Sequence, residues 1–258
     1  MRIAKKFQEQ DPGGAGKVYG FALQAGDPAL FFQMVELFGY GAGLQHVVLD
    51  PDGNVVLDQP DNALALINQL KLYTDKYVAP ETPQHTFVDM YQLIEGGRVG
   101  MFRVGDWNVM KWDREGLKGD YVIGPMPAMS ADQQPHVVLQ SMRSVAAPME
   151  HDNAEVARKF MAFLLTKDAQ KIFVKYLGSG IRNDLDENVS ASQKFFLQPQ
   201  SSLSNNDFLD SVYPWFPQVK EALFEKAMAA VANPPADWNV WVKATADDLR
   251  VTVEKLRK

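Results

Sequence analysis

The chain has no cysteine in its 258 residues. That excludes a disulfide framework, a thiol nucleophile and every cysteine-ligated metal site. Its four histidines, His46, His85, His136 and His151, stand alone, with none four residues from another. The helical histidine pair of a zinc site is therefore missing, and no metal or other cofactor is expected. No stretch of about 18 apolar residues occurs, so no segment is built to cross a bilayer as a helix. No Lys/Arg run exceeds two residues and the net charge is −6, which argues against a general nucleic-acid role, since that affinity comes mostly from neutralised phosphates. Gly16-Lys17 is followed by Val18, and Asp11 stands where a phosphate loop needs its first glycine. The first ten residues carry Lys5 and Lys6 with no apolar core behind them, so they resemble the last turns of a helix rather than a secretory signal.

What is present is an ordinary globular composition, 46% hydrophobic and 22% charged, long enough for one large domain or two lobes. Lys17–Gln24 reads as a buried strand. Pro28–Phe38 reads as a helix with Leu30, Phe31, Met34, Val35 and Phe38 on one stripe. Gln45–Asp50 and Asn54–Asp58 are extended runs joined by Pro51-Asp52-Gly53, which is hairpin-turn chemistry. Pro60 then opens a helix that keeps its spacing to Val78. A strand is expected over Val137–Ala147. Asp152 and Glu155 are placed to start a helix whose stripe is Val156, Phe160, Phe163 and Leu164, and Thr166 to cap one bearing Ile172, Phe173 and Tyr176. Residues 181 to 212 read as irregular, and Phe216–Val231 and Asp237–Leu256 as a closing helix pair. Strands alternate with helices, so the expected class is α/β.

The most informative stretch is Phe87–Pro127. A helix carrying Phe87, Met90, Tyr91 and Ile94 stops at Gly96-Gly97; the strand Val99–Val104 follows, then Gly105-Asp106-Trp107, then a second strand at Tyr121–Pro127. Open α/β sheets bind ligands at the carboxyl ends of their strands. An indole there is a flat platform for the C–H face of a sugar, worth about 1 kcal/mol for roughly 40 Å² buried. The bland alternative is a tryptophan that closes the core at a strand end. Asp106 is placed to accept sugar hydroxyls, or to bond its own turn.

Several segments together resemble one family, the extracellular solute-binding proteins of bacterial ABC importers, in particular the large sugar-binding group. They are Tyr19-Gly-Phe-Ala22, Leu57-Asp-Gln-Pro60 before a long helix, Ile94–Phe102 followed by Gly105-Asp-Trp107, Ala146-Ala-Pro148 before Ala157–Phe160, and Thr166–Gln170. The resemblance covers roughly residues 15 to 255. It implies a type II periplasmic-binding-protein-like lobe, a central sheet flanked by helices, and no enzymatic activity. It also implies a chain lacking a signal and most of the first lobe. Residues 1–139 would be the first part of the second lobe, 140–178 a hinge strand and helices returning to the first lobe, and 179–258 the second-lobe return with its closing helices.

The family likeness adds ligand candidates to Trp107 and Asp106. Phe32 follows Gly26-Asp27-Pro28, where the family often places a cleft aromatic; Phe31 beside it is the weaker choice. Tyr213 and Trp215, in Tyr-Pro-Trp-Phe-Pro, sit where ligand-stacking aromatics are expected, with a staple for the final helices as the alternative. Gln140–Ser144 replaces a glycine-rich ligand-facing segment, making Arg143 and Ser144 candidates, and Arg143 could fork onto a hydroxyl pair or a carboxylate. Arg182 and Asn183 match a cleft loop. The implied partners are a small solute and the permease subunits of an ABC transporter, with the chain a monomer in the periplasm or anchored at the cell surface. The competing readings are a glycoside hydrolase using Asp106, Asp113 or Glu115, and a binder of a non-sugar solute such as a polyol or phosphorylated glycerol.

Overall fold

The computed structural model describes residues 2–11, 18–103, 108, 111–112, 121–125, 137–139, 153–177, 182, 184–185, 202–204 and 213–258. The chain divides into two compact units, one of residues 1–103, 125–141 and 202–258, the other of 104–124 and 142–201. From sequence, limits are expected at 140 and 179.

The first unit opens with helix α1 (Arg2–Gln10). Residues from Val18 onward then run extended and pair in parallel with the segment after residue 98, Tyr19 opposite Val99 and Ala22 opposite Phe102. Tyr19 N donates to Arg98 O (2.9 Å), Gly100 N to Tyr19 O (2.9 Å) and Ala22 N to Met101 O (2.8 Å). Parallel neighbours need a long crossover, and here α2 (Pro28–Gly41), α3 (Pro60–Thr74) and α4 (Phe87–Glu95) lie between them. Helix α1 rests directly on this pair, because a Cβ at Gly20 would meet Ala4 and one at Gly100 would meet Phe7.

Local chemistry sets the helix limits. Asp27, extended at φ −148°, caps α2 by accepting from Leu30 N at 2.8 Å, and Pro28 supplies a pre-set first residue. Pro60 does the same for α3, which closes in a Schellman motif: Tyr77 N bonds Leu72 O, and Lys76 N bonds Tyr73 O, both at 2.9 Å. Lys76, at φ 62°, takes the left-handed position that glycine usually fills. The turn at Pro51-Asp52-Gly53 forms as expected, with Leu49 bridging Val55 antiparallel and Gly53 at φ 76°.

The core of this unit gathers Phe21, Leu23, Phe31, Phe32, Val47, Leu49, Leu57, Leu66 and Leu70 under the closing helices α7 (Phe216–Ala232) and α8 (Trp238–Leu256), which add Val219, Leu223, Ala246 and Leu249. A carboxylate is sealed into it. Glu36, 5% exposed, accepts from Val47 N (3.3 Å) and Val48 N (3.2 Å), while Asn62 Nδ2 donates to His46 O and Val47 O (3.0 and 2.9 Å). Both side chains pair backbone groups that a buried loop would otherwise leave unsatisfied. The strand β1 (Val137–Leu139) pairs in parallel with β2 (Ser202–Ser204), so a strand stands inside the span expected to be irregular. Ser-Leu-Ser is too short a run for its alternation to announce a strand.

The second unit holds α5 (Ala154–Leu164) and α6 (Lys167–Leu177). Thr166 caps α6 by accepting from Ala169 N at 3.3 Å, as expected. The start of α5 differs, since Asn153 rather than Asp152 is its N-cap, without a side-chain capping bond to the helix. The stripes also behave differently from expectation: Val156, Phe160, Phe163, Ile172 and Tyr176 are each about half exposed or more, and Ala154, Ala169 and Val174 are buried instead. A helical period of apolar residues foretells a face that packs well, not the identity of the surface it meets.

Candidate functional site

In the first unit the carboxyl ends of the two parallel segments lie side by side, the place where α/β folds bind ligands. One end is Gln24-Ala25-Gly26-Asp27, leading into α2. Gln24 is 2% exposed and its Oε1 has no hydrogen-bond partner. Gly26 N donates to His85 O at 2.9 Å, and a Cβ at Gly26 would meet that same oxygen at 2.7 Å, so the loop after η-turn Thr82–Gln84 is clamped against the strand end. The other end is Arg103, half-buried, whose Nη1 donates to Gln33 Oε1 on α2 at 3.5 Å. Of the groups at these strand ends the Gln24 side chain is buried, whereas Asp27 and the Arg103–Gln33 pair reach the surface with groups able to accept from and donate to a polyhydroxylated solute. Among the described residues no group of three acids and histidines could hold a metal ion.

The sequence-derived candidates fare unevenly. Phe32 is 7% exposed and meets Phe216 edge-on at 5.1 Å, and Phe31 is fully buried with its ring 5.6 Å from Phe224. Both are core residues, because the α2 stripe wraps far enough to bury each of them. Tyr213 and Trp215 stack on each other at 4.8 Å. Tyr213 Oη donates to Pro51 O at 2.7 Å, Arg257 Nη2 donates to Asp52 O at 2.8 Å, and the Arg257 guanidinium lies 5.7 Å from the Trp215 ring. This pair fastens the Pro51-Asp52-Gly53 turn to the end of α8, the contact expected of a staple. In the second unit Arg182 forks onto Asp184 (2.8 and 3.0 Å) and donates to Leu165 O at 3.2 Å. Hydrogen bonding from Arg182 holds the Asp184 carboxyl down at about 2. That guanidinium braces its own loop onto the end of α5. Trp107, Asp106, Arg143, Ser144 and Asn183, and with them Asp113 and Glu115, lie outside the described residues.

The profile of a family described as bacterial extracellular solute-binding proteins matches residues 3–185, well over half of the chain. The chain belongs to that family. Solved structures agree on the fold. Maltose-bound MalE3 of T. maritima superposes with a TM-score of 0.64 at 18% identity, over 97% of this chain and 63% of that one. A solute-binding protein of an ABC transporter from Thermotoga lettingae, bound with alpha-D-tagatose, gives 0.68 at 17% over 98% and 63%. One from Agrobacterium radiobacter, in complex with ribitol, gives 0.65 at 17% over 99% and 63%. The chain therefore spans a little under two thirds of the length of these structures. Comparison with curated protein sequences finds no match.

This solute-binding protein thus has the α/β, periplasmic-binding-protein-like fold expected of it. Sequence reasoning overlooked Gln24, Gln33 and Arg103. The signal was available for two of them, since Gln24 and Arg103 each follow directly on an extended apolar run. Gln33 had none, because its position opposite Arg103, 70 residues away, is a product of the crossover.

Proposed function

We propose that this solute-binding protein captures a small polyhydroxylated solute, a sugar or polyol, and delivers it to the permease subunits of an ABC importer. The observation that carries the reading is the set of polar groups Asp27, Gln33 and Arg103 at the carboxyl ends of the parallel pair, within a chain of this family. In sequence Gly105-Asp106-Trp107 follows Arg103 after Val104, and the indole of Trp107 is the stacking platform this reading assigns to the solute. Maltose, tagatose and ribitol are the solutes in the three related structures and supply the first probes. Binding alone needs no nucleophile and base. The protein works as a monomer in the periplasm or at the cell surface, where its family acts.

The test is a titration of tryptophan fluorescence and heat with maltose, tagatose and ribitol, alongside product analysis on oligosaccharides. The expected result is saturable binding without turnover. Trp107→Ala should lower affinity at least about tenfold, or about 1.4 kcal/mol, with the melting temperature nearly unchanged. A large fall in melting temperature with intact affinity would make Trp107 a core residue. Turnover lost in Asp106→Asn and Asp113→Asn would replace binding by hydrolysis.

A further inference from the structure

A cavity of about 500 Å³ opens in the first unit beside Tyr19 and the 78–83 segment, lined by none of Asp27, Gln33 or Arg103. Its walls are the rings of Tyr19 and Tyr73 together with Val78, Ala79, Pro80, Pro83 and, from the end of α7, Val231. Gln8 of α1 and Lys76 are the polar side chains on it. That volume is within the range of small-molecule sites, and the lining has their usual pattern, apolar and aromatic with a few polar groups. The hydroxyl of Tyr73 is sealed in the same wall beside Gln69.

Lys76 is the second observation. It occupies the left-handed closing position of α3, where glycine sits without strain and a residue with a Cβ does not. A lysine kept there holds its side chain at the cavity, and it forms no ion pair among the described residues. A positive charge beside ring faces and proline edges selects a ligand that is flat or cyclic on one side and anionic on the other. We infer that this cavity is a second small-molecule site, distinct from the proposed solute site, which takes a compact ring compound bearing one carboxylate. The inference does not depend on the solute reading, because the two sites share none of their residues.

The experiment uses the 258-residue chain and three probes, benzoate, cyclohexanecarboxylate and neutral benzamide, followed by ligand-observed NMR. Both carboxylates should bind saturably, with Kd about 1–10 mM, and benzamide about fivefold more weakly. Lys76→Gln should weaken benzoate about fivefold and leave benzamide unchanged. Val231→Trp, which fills the cavity, should abolish binding of all three, and Gln8→Trp on the exposed face of α1 gives the same block if the first variant does not fold. Absence of saturable binding overturns the inference, as does binding that survives the filling variants. Benzoate affinity indifferent to Lys76→Gln also overturns it, and leaves Lys76 as a charge complementing the carboxyl end of α3.

Discussion

Phe32→Ala separates the two roles this residue was weighed for. A buried phenylalanine removes about 200 Å² from water. At about 25 cal/mol per Å² that amounts to about 5 kcal/mol, of which alanine retains about a third. Phe32 also loses its edge-on partner Phe216, 5.1 Å away, worth about 1 kcal/mol more. The expected destabilisation is therefore about 4 kcal/mol, inside the range for such truncations. In urea, with a slope of about 3 kcal/mol per molar, the midpoint should fall by about 1.3 M. Solute affinity, measured where the variant is still folded, should stay within about twofold of the parent. A stability loss below about 1 kcal/mol joined to a tenfold loss of affinity would refute the burial argument and return Phe32 to the ligand.

Three further outcomes follow from named contacts. Arg250 Nη2 bonds Asp58 Oδ1 at 2.5 Å, and this holds the Asp58 carboxyl below its ordinary range. Its contribution is therefore present above the unfolded value of about 3.9 and is lost as pH falls through the lower folded value. Discounted for an arginine side chain 39% exposed, Asp58→Asn should cost about 1 kcal/mol at neutral pH and nothing once acid has protonated Asp58, as read by urea melts across pH. Tyr213→Phe removes the bond to Pro51 O and should lower stability by about 1 kcal/mol without changing solute affinity. An affinity loss instead would make the Tyr213–Trp215 pair a ligand platform. Gly100→Ala puts a Cβ against Phe7, so α1 must shift at a cost of about 1–3 kcal/mol, visible as faster amide exchange in residues 2–10.

The sequence by itself determined those features whose causes are local. Asp27-Pro28 starts α2 by a side-chain cap and a fixed φ, and Pro51-Asp52-Gly53 turns the chain because Gly53 can reach a positive φ. Asp237 caps α8 in the same way, by accepting from Asn239 N and Val240 N. The order of these elements was enough to suggest the family, since each motif is a short run. Tertiary structure alone decided everything that depends on a distant partner. It set Ser202–Ser204 beside Val137–Leu139 and turned Phe32 onto Phe216. It closed Tyr213 and Trp215 over a turn some 160 residues earlier, and brought Gln33 to Arg103. An apolar or aromatic residue carries the same burial energy against any well-fitting surface. Which surface it meets is therefore chosen by how the whole chain packs, not by its own neighbourhood.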